Sequence, residues 1–463
     1  MRRPAALVLA VISGALLSAV PVAAPAAPRR AQDAGTTLAS ENLELLTALP
    51  NPGVIGARFR DGLMYATTSS GLTVHDVADP RAPKEIGRLP LPHFENEDVD
   101  LGGDILLISN DAAESTGVLF VIDISDPAAP AILSTFPMGG NPALGGPGHT
   151  ASCILDCTFA WVTGIAGIKV IDLRDPAAPV DLGTFETDAG GGVAVHDVQV
   201  DKQGLAWVVG FGGAIAYRLP SSYAGDGLGE EVVRTDPDGN STYLEEIGLG
   251  AGDKPNDFIL HNSLRVKKGV VYVTEEDYTR PGCRGAGSFE TWRLPLLPNG
   301  SPSGEDMTVM DTWETELLAD TANAAAMCSA HYFDFRDNVI AQGWYEQGVR
   351  LLDVSKPGNV RQVGYFVPPS AMTWAAYWPP TDPSGRVLYV FDATHGIDVL
   401  EFDRPKTGPL SKTGKACAGT RCARRVAPTV RAPIRSEWRA VGPATGQANG
   451  SWGFACRIRI PAP

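Results

Sequence analysis

The sequence predicts an all-β fold: a seven-bladed β-propeller of four-stranded blades, closed by an N-terminal strand and followed by a C-terminal extension. Three observations carry this expectation. Long helical patterns are absent, and 51 Gly and 37 Pro punctuate many short apolar runs, which is how strands and turns read. One motif recurs along the chain. Its period, near 47 residues, is that of a propeller blade of four strands.

The motif is clearest in "GLTVHDVADPRAPKEIGRL", "GVLFVIDISDPAAPAILSTF", "GIKVIDLRDPAAPVDLGTF" and "GVRLLDVSKPGNVRQVGYF". An alternating apolar strand runs into Asp-x-x-x-Pro, and a second strand follows. The Pro ends the first strand because it has no N–H to give a ladder. The Asp or Ser before it can bond the turn backbone. "GAIAYRL" and "SFETWRL" are degenerate copies, and "GIDVLEF" closes the series. The equivalent strand ends are Asp76, Asp123, Asp172, Arg218, Arg293, Asp353 and Glu401, spaced by 47, 49, 46, 75, 60 and 48 residues. Seven blades follow, the two long spacings being inserted loops. The seventh lacks an outer strand, because "EFDRPKTGPLSKTG" has no apolar alternation. "ENLELLTALP" resembles the outer strand of other blades and is expected to supply it, removing an open edge.

The expected organisation is a signal peptide over 1–26, a linker over 27–40, the propeller over 41–403 and a basic, Cys-containing extension over 404–463. Arg2 and Arg3, an apolar run from Ala5 to Val22 and Ala24-Pro25-Ala26 read as a cleavable secretory signal. An N-terminal membrane anchor is the alternative; Gly14 and Pro21 interrupt the run and favour cleavage. No later stretch is apolar enough to span a bilayer. A secreted, extracellular protein is therefore expected, the bacterial cell surface being one location.

Export fits the seven cysteines, most of which should pair in an oxidising compartment. Cys153 and Cys157 flank a tight turn, and Cys283 with Cys328 would tie a long loop to the next repeat. Cys417, Cys422 and Cys456 cannot all pair internally. Net charge is −15. From Arg404 onward there are 12 Lys and Arg against Glu437 alone, +11, so the remainder carries −26. An acidic body argues against nucleic-acid binding.

The repeat resembles the LVIVD repeat of secreted and surface bacterial β-propellers. The likeness runs from about Glu41 to Asp403, clear in four blades and weak in the fourth and fifth. It implies a fold and an exported location, not a reaction, because propellers host many functions.

The chemistry is expected at one channel mouth. Four of the seven histidines, His149, His196, His261 and His331, fall at one position in successive repeats, each opening an apolar strand. A likely turn residue follows His149, His196 and His261 eight positions on: Cys157, Gly204 and Gly269. Around the ring the position reads Val54, Glu97, His149, His196, His261, His331 and Trp374. Neutral imidazoles suit iron, copper, nickel or zinc, and four of them leave an octahedral ion open to a further ligand. Second-strand loops bring Asn110, Asp111, Glu275, Glu276, Asp277, Tyr278, Trp344, Tyr345, Glu346 and His395 to the same face. Of these, Glu97, Glu275 and Glu276 are candidate carboxylate supports for the imidazoles; Trp344, Tyr345, Glu346, Trp374 and His395 are candidate ligand contacts. Asp197 is expected on the other side of its strand. In plan, carotenoid-cleaving oxygenases (iron on four channel histidines) and copper-dependent methanethiol oxidases of the selenium-binding type look similar, without a shared linear motif.

Other patterns are weaker. No G-x-S-x-G elbow accompanies Ser152, "GGNPALGGPGH" precedes a strand rather than a helix, and "DPDGNSTYLEE" lacks a full calcium loop. Two readings remain. One is a secreted metalloprotein using iron or copper in oxidoreductase-like chemistry, with His149, His196, His261 and His331 as ligands. The other is a non-catalytic binding or adhesion propeller with structural rim histidines. The partner would be a small molecule, or an extracellular protein or cell surface. A monomer is expected.

Overall fold

The computed structural model describes residues 37–91, 97–110, 117–139, 148–164, 167–219, 230–234, 258–277, 282–283, 286–315, 327–404, 438–441 and 453–456. The signal and most of the linker lie outside these residues, as do Asp111, Tyr278, the segment from Asp236, Cys417 and Cys422.

Seven antiparallel sheets form the seven blades, ordered from the innermost strand outward in chain order except for outermost strands that the N-terminal segment adds to blades six and seven. The innermost strands are Val54–Arg60, Val99–Gly102, Ala151–Ile154, Val195–Val200, Ile259–Lys267, Phe333–Arg336 and Thr373–Tyr377. The only helix among the described residues is one 3-10 turn, Asp188–Gly190. Degeneracy in blades four and five does not alter the plan: Gly213–Arg218 and Phe289–Arg293 are third strands like the rest.

The Asp of the repeat has a local job. Asp76, Asp123, Asp172 and Asp353 each accept the backbone N–H two residues on, at 2.8–2.9 Å. That bond turns the chain before Pro, where the ladder must stop.

Blade seven takes its outer strand from the N-terminus. Leu43–Leu49 pairs with Gly396–Phe402, from Leu43↔Phe402 to Leu49↔Ile397. Just upstream, Leu38–Ala39 adds a fifth strand to blade six, against Phe366 and Val367. One N-terminal segment thus clasps two blades.

Apolar side chains gather between blades rather than in one centre. Seven large clusters are each shared by neighbouring blades, such as Val170 with Val208, and Leu351 with Leu388. Polar clasps join the innermost strands. Cys153 N–H donates to Asp100 Oδ2 at 2.8 Å, Ser152 Oγ to the Val198 carbonyl at 2.7 Å, Asn262 Nδ2 to Asp197 Oδ2 at 2.7 Å, and Trp378 N–H to Asp334 Oδ2 at 2.9 Å. The two disulfides expected from spacing are present, Cys153–Cys157 and Cys283–Cys328. Beyond the ring, Trp438–Val441 pairs with Gly453–Cys456. No helix among the described residues is long and apolar enough to cross a membrane.

Candidate metal centre

The innermost strands begin at one end of the central channel, and the histidines meet there. Sequential ring centroids are 4.3 Å apart for His149–His196, 4.1 Å for His196–His261 and 3.9 Å for His261–His331. Their Nε2 atoms point inward at Glu97. His149 Nε2 lies 2.8 Å from Glu97 Oε2; His331 and His261 Nε2 lie 3.3 and 3.4 Å from Oε1, and His196 Nε2 lies 4.0 Å away. His149 and His196 also face each other, Nε2 to Nε2, at 2.9 Å. Glu276 Oε2 closes the far side, 3.8 Å from His196 and 3.9 Å from His261. Two overlapping sets, Glu97–His196–His261 and His261–Glu276–His331, bring ligand atoms within 4.8 Å of one another.

Backbone irregularities aim these side chains. His196, His261 and Trp374 are each skipped in the pairing with the second strand, between Val195 and Asp197, Leu260 and Asn262, and Thr373 and Ala375. Each is the extra residue of a β-bulge, which redirects a side chain and interrupts alternation. One consequence corrects the sequence reading of Asp197. Beyond the bulge it lies on the side of Gln199 and reaches Asn262 of the next innermost strand. It therefore faces the channel, one tier beneath the histidines. Asp98 and Tyr332 join the same tier; Arg58 reaches Asp98 at 3.2 Å. These residues were missed by sequence reasoning. The available signal was the polar doublets Glu97-Asp98, His196-Asp197, His261-Asn262 and His331-Tyr332, which break strand alternation.

His331 is held in one tautomer. Its Nδ1 lies 3.0 Å from the Trp374 carbonyl, which only accepts, so Nδ1 carries the proton. In the neutral ring Nε2 then presents a lone pair toward Glu97. Gly343 makes room for that carbonyl: a Cβ there would sit 2.5 Å from Trp374 O. His196 Nδ1 and both nitrogens of His261 are buried without a hydrogen-bond partner, Nε2 of His261 being near Glu97 but poorly aligned for one.

Burial pushes His261 down to about 3, with the neighbouring His331 adding to it, and depresses His196 strongly, with His261 and His149 contributing. Both rings are neutral at pH 7. Burial alone would raise Glu97, but the charge and hydrogen bond of His149 hold it well below the usual carboxylate range. Burial lifts Glu276 to about 7, opposed by His331 and reinforced by Glu97. The site thus offers neutral imidazoles in His196 and His261, one ionised carboxylate and a second at the edge of ionisation.

The other candidate contacts divide. Tyr345 donates its hydroxyl to Glu276 Oε1, and its ring lies 5.1 Å from His331 and 5.9 Å from Trp374. Its φ of 34° is left-handed, a strained placement for a non-glycine residue. Trp374 stands 4.7 Å from His331. Four residues lie apart. Glu275 turns away, accepting the Phe258 N–H at 3.0 Å and the Ser288 hydroxyl at 3.4 Å, because it and Glu276 project to opposite faces of one strand. Trp344 packs edge-on to Trp313 and donates to the Cys328 carbonyl. Glu346 is fixed through its backbone N–H to Met327 O, outside the histidine group. His395 bonds the Pro369 carbonyl.

No protein-family model matches the chain, and no curated protein matches it in sequence. Solved structures do. The β-propeller domain of Cps50 (Swd1) from Myceliophteria thermophila aligns with TM-score 0.51 at 10% identity, over 78% of this chain and all of that one. The WD40 repeats of RRP9 align with TM-score 0.49 at 10% identity, over 80% of this chain and all of that one. At this identity the first likeness is one of fold alone.

Proposed function

We propose that the histidine ring is a transition-metal centre, for iron or copper, in an exported oxidoreductase-like propeller. The observation that carries this reading is the convergence of four imidazole Nε2 atoms on the Glu97 carboxylate. His331, its Nδ1 proton committed to Trp374, directs Nε2 at an ionised Glu97 oxygen 3.3 Å away. His149 and His196 oppose Nε2 to Nε2 at 2.9 Å, near the separation of about 3 Å set by two ligands at right angles on one ion with bonds of about 2.1 Å. A cation bound here would replace the protons that these close pairs otherwise share. His149, His196, His261 and His331 would hold it, with Glu97 bound directly or turned aside as its support.

A bound ion would supply one-electron or oxygen chemistry. The chain's own residues set the surroundings. Glu276 and Tyr345 share a proton beside the histidines, a place from which one can be handed to or taken from a bound molecule. Trp374 and Tyr345 give the blade-seven side an aromatic wall. Two disulfides and an N-terminal signal-like sequence support an exported setting.

The test is elemental analysis by mass spectrometry of protein secreted by its own host and purified without chelator or His tag. About one iron or copper per chain is expected, lost in His261→Ala with the fold retained. No stoichiometric metal, even after anaerobic loading, would refute the reading and leave a binding propeller with rim histidines.

A further inference from the structure

The contacts between blades share one repeat position. It is the residue just before the strand-ending Asp, Arg or Glu of each third strand. From blade one to blade seven it reads His75, Ile122, Ile171, Tyr217, Trp292, Leu352 and Leu400. The last six each belong to the apolar cluster shared with the preceding blade, and each is 6% exposed or less. Blade one puts an imidazole in that place.

His75 is 2% exposed, and its Nδ1 has no hydrogen-bond partner among the described residues. Met64 lies opposite it on the second strand, and Val77 follows two residues on. Both belong to the cluster that joins blade one to blade seven, against which Leu46 and Leu49 of the closing strand pack. The closing strand leads straight into blade one, so this interface is where the two ends of the ring meet. The charges acting on His75 from its own blade are Glu85 and Arg88, paired with each other at 2.8 Å. Across the seam, Tyr389 donates to the Pro80 carbonyl, and Glu401 takes Arg81 at 2.7 Å and Arg386 at 3.2 Å. Asp79 and Asp382 lie near that tyrosine.

We propose that this seam is an acid-sensitive latch, with His75 as the residue that releases it. At neutral pH the ring is an uncharged filler where other blades carry isoleucine or leucine. A proton taken up there becomes a buried charge, which is relieved by opening the seam to water. Burial holds the imidazole down at about 4 from its ordinary 6.5, opposed by Glu85 and aided by Arg88. The opened chain therefore binds this proton more tightly than the closed ring does. Closure is at full strength above about pH 6.5, weakens as pH falls toward about 4, and loses nothing more to this group below that. Arg81 holds Glu401 below its ordinary value, so their pair keeps the rim joined while His75 takes up its proton.

The test is urea unfolding of the full-length protein at about pH 7.5 and about pH 4.5, on either side of the range in which His75 loads. Wild type is set beside His75→Ile, which restores the residue of other blades, and His75→Gln, which is polar but does not titrate. The urea midpoint of wild type should fall further on acidification than that of either variant. The buried His196 and His261 are common to all three proteins and cancel in the comparison. Hydrogen exchange, corrected for the intrinsic effect of pH, locates the opening. In wild type, amides of Leu43–Leu49 and Gly71–Asp76 should lose protection in acid ahead of those of Phe159–Val162. In His75→Ile they should not. An equal acid shift of the midpoint in all three proteins would overturn the proposal. So would protection lost evenly from every blade.

Discussion

At the residue scale, the Trp374 carbonyl decides what His331 can do. It accepts from His331 Nδ1 and from the Tyr332 N–H at 3.1 Å, so it fixes both the ring that faces Glu97 and the backbone beneath it. Gly343 is the reason it can approach. A methyl at Gly343 meets backbone atoms of Trp374 at 2.5–2.7 Å, and backbone cannot swing aside as a side chain can. Gly343→Ala should therefore cost roughly 1–3 kcal/mol, as overpacking does. If His331 is a ligand, metal affinity should fall about 10- to 100-fold through its lost support. Urea unfolding and metal titration check the two effects. Gly358→Ala is the control, since a Cβ there meets only Met310 O at 3.8 Å. Equal behaviour of the two variants would remove the steric role. The histidines themselves were legible in the sequence, because one chemical type recurs at one repeat position. Glu275 and Glu276 were not separable, because a loop reading has no face. Trp344 was read as a site residue because it neighbours Tyr345. In the structure Trp313 claims its ring and the Cys328 carbonyl its N–H.

At the element scale, the innermost strands do two tasks that plain alternation forbids. A regular strand gives the channel every second residue. The bulges at His196 and His261 give it two in succession, a ligand-type residue and then a polar one that clasps the neighbouring blade. A single sequence shows such a doublet as noise in the period, which is why Asp197 was assigned to the wrong side. Strand ends behaved differently: Asp-x-x-x-Pro carries its own turn chemistry, so blades one, two, three and six were readable directly. The same locality argument ranks the disulfides. Cys153–Cys157 closes a turn in which Leu155, Asp156 and Cys157 already have positive φ. Cys283–Cys328 spans 45 residues between blades five and six. Chain-entropy arithmetic gives about 4 kcal/mol for the longer loop and about 2 kcal/mol for the shorter. Cys283→Ser/Cys328→Ser should therefore lower the urea midpoint more than Cys153→Ser/Cys157→Ser. The reverse order would mean that the short bridge stabilises the native hairpin itself rather than restricting the unfolded chain.

At the scale of the whole molecule, the ring has one covalent gap, and the N-terminal segment spans it. Seven interblade clusters mean that no blade has a core of its own, so losing one interface exposes the faces of two blades. Closure was readable from "ENLELLTALP" because its apolar pattern matched other outer strands. The added strand Leu38–Ala39 was not, since two residues carry no period. Leu43 is the pivot. It pairs with Phe402 at the start of the closing strand and packs into the cluster holding Val363, Leu400 and Phe402. Leu43→Ala should cost about 2–4 kcal/mol, the range for a buried leucine. Exposed Leu45→Ala, on the same strand, should stay within about 0.5 kcal/mol. If closure is what makes the ring cooperative, the Leu43 variant should still unfold in one transition by fluorescence and far-UV circular dichroism, only earlier. Two separated transitions, with blades six and seven melting first, would show that the remaining blades stand without the clasp. The proposed metal centre takes His331 from blade six, so a bound ion should then be released with the first transition.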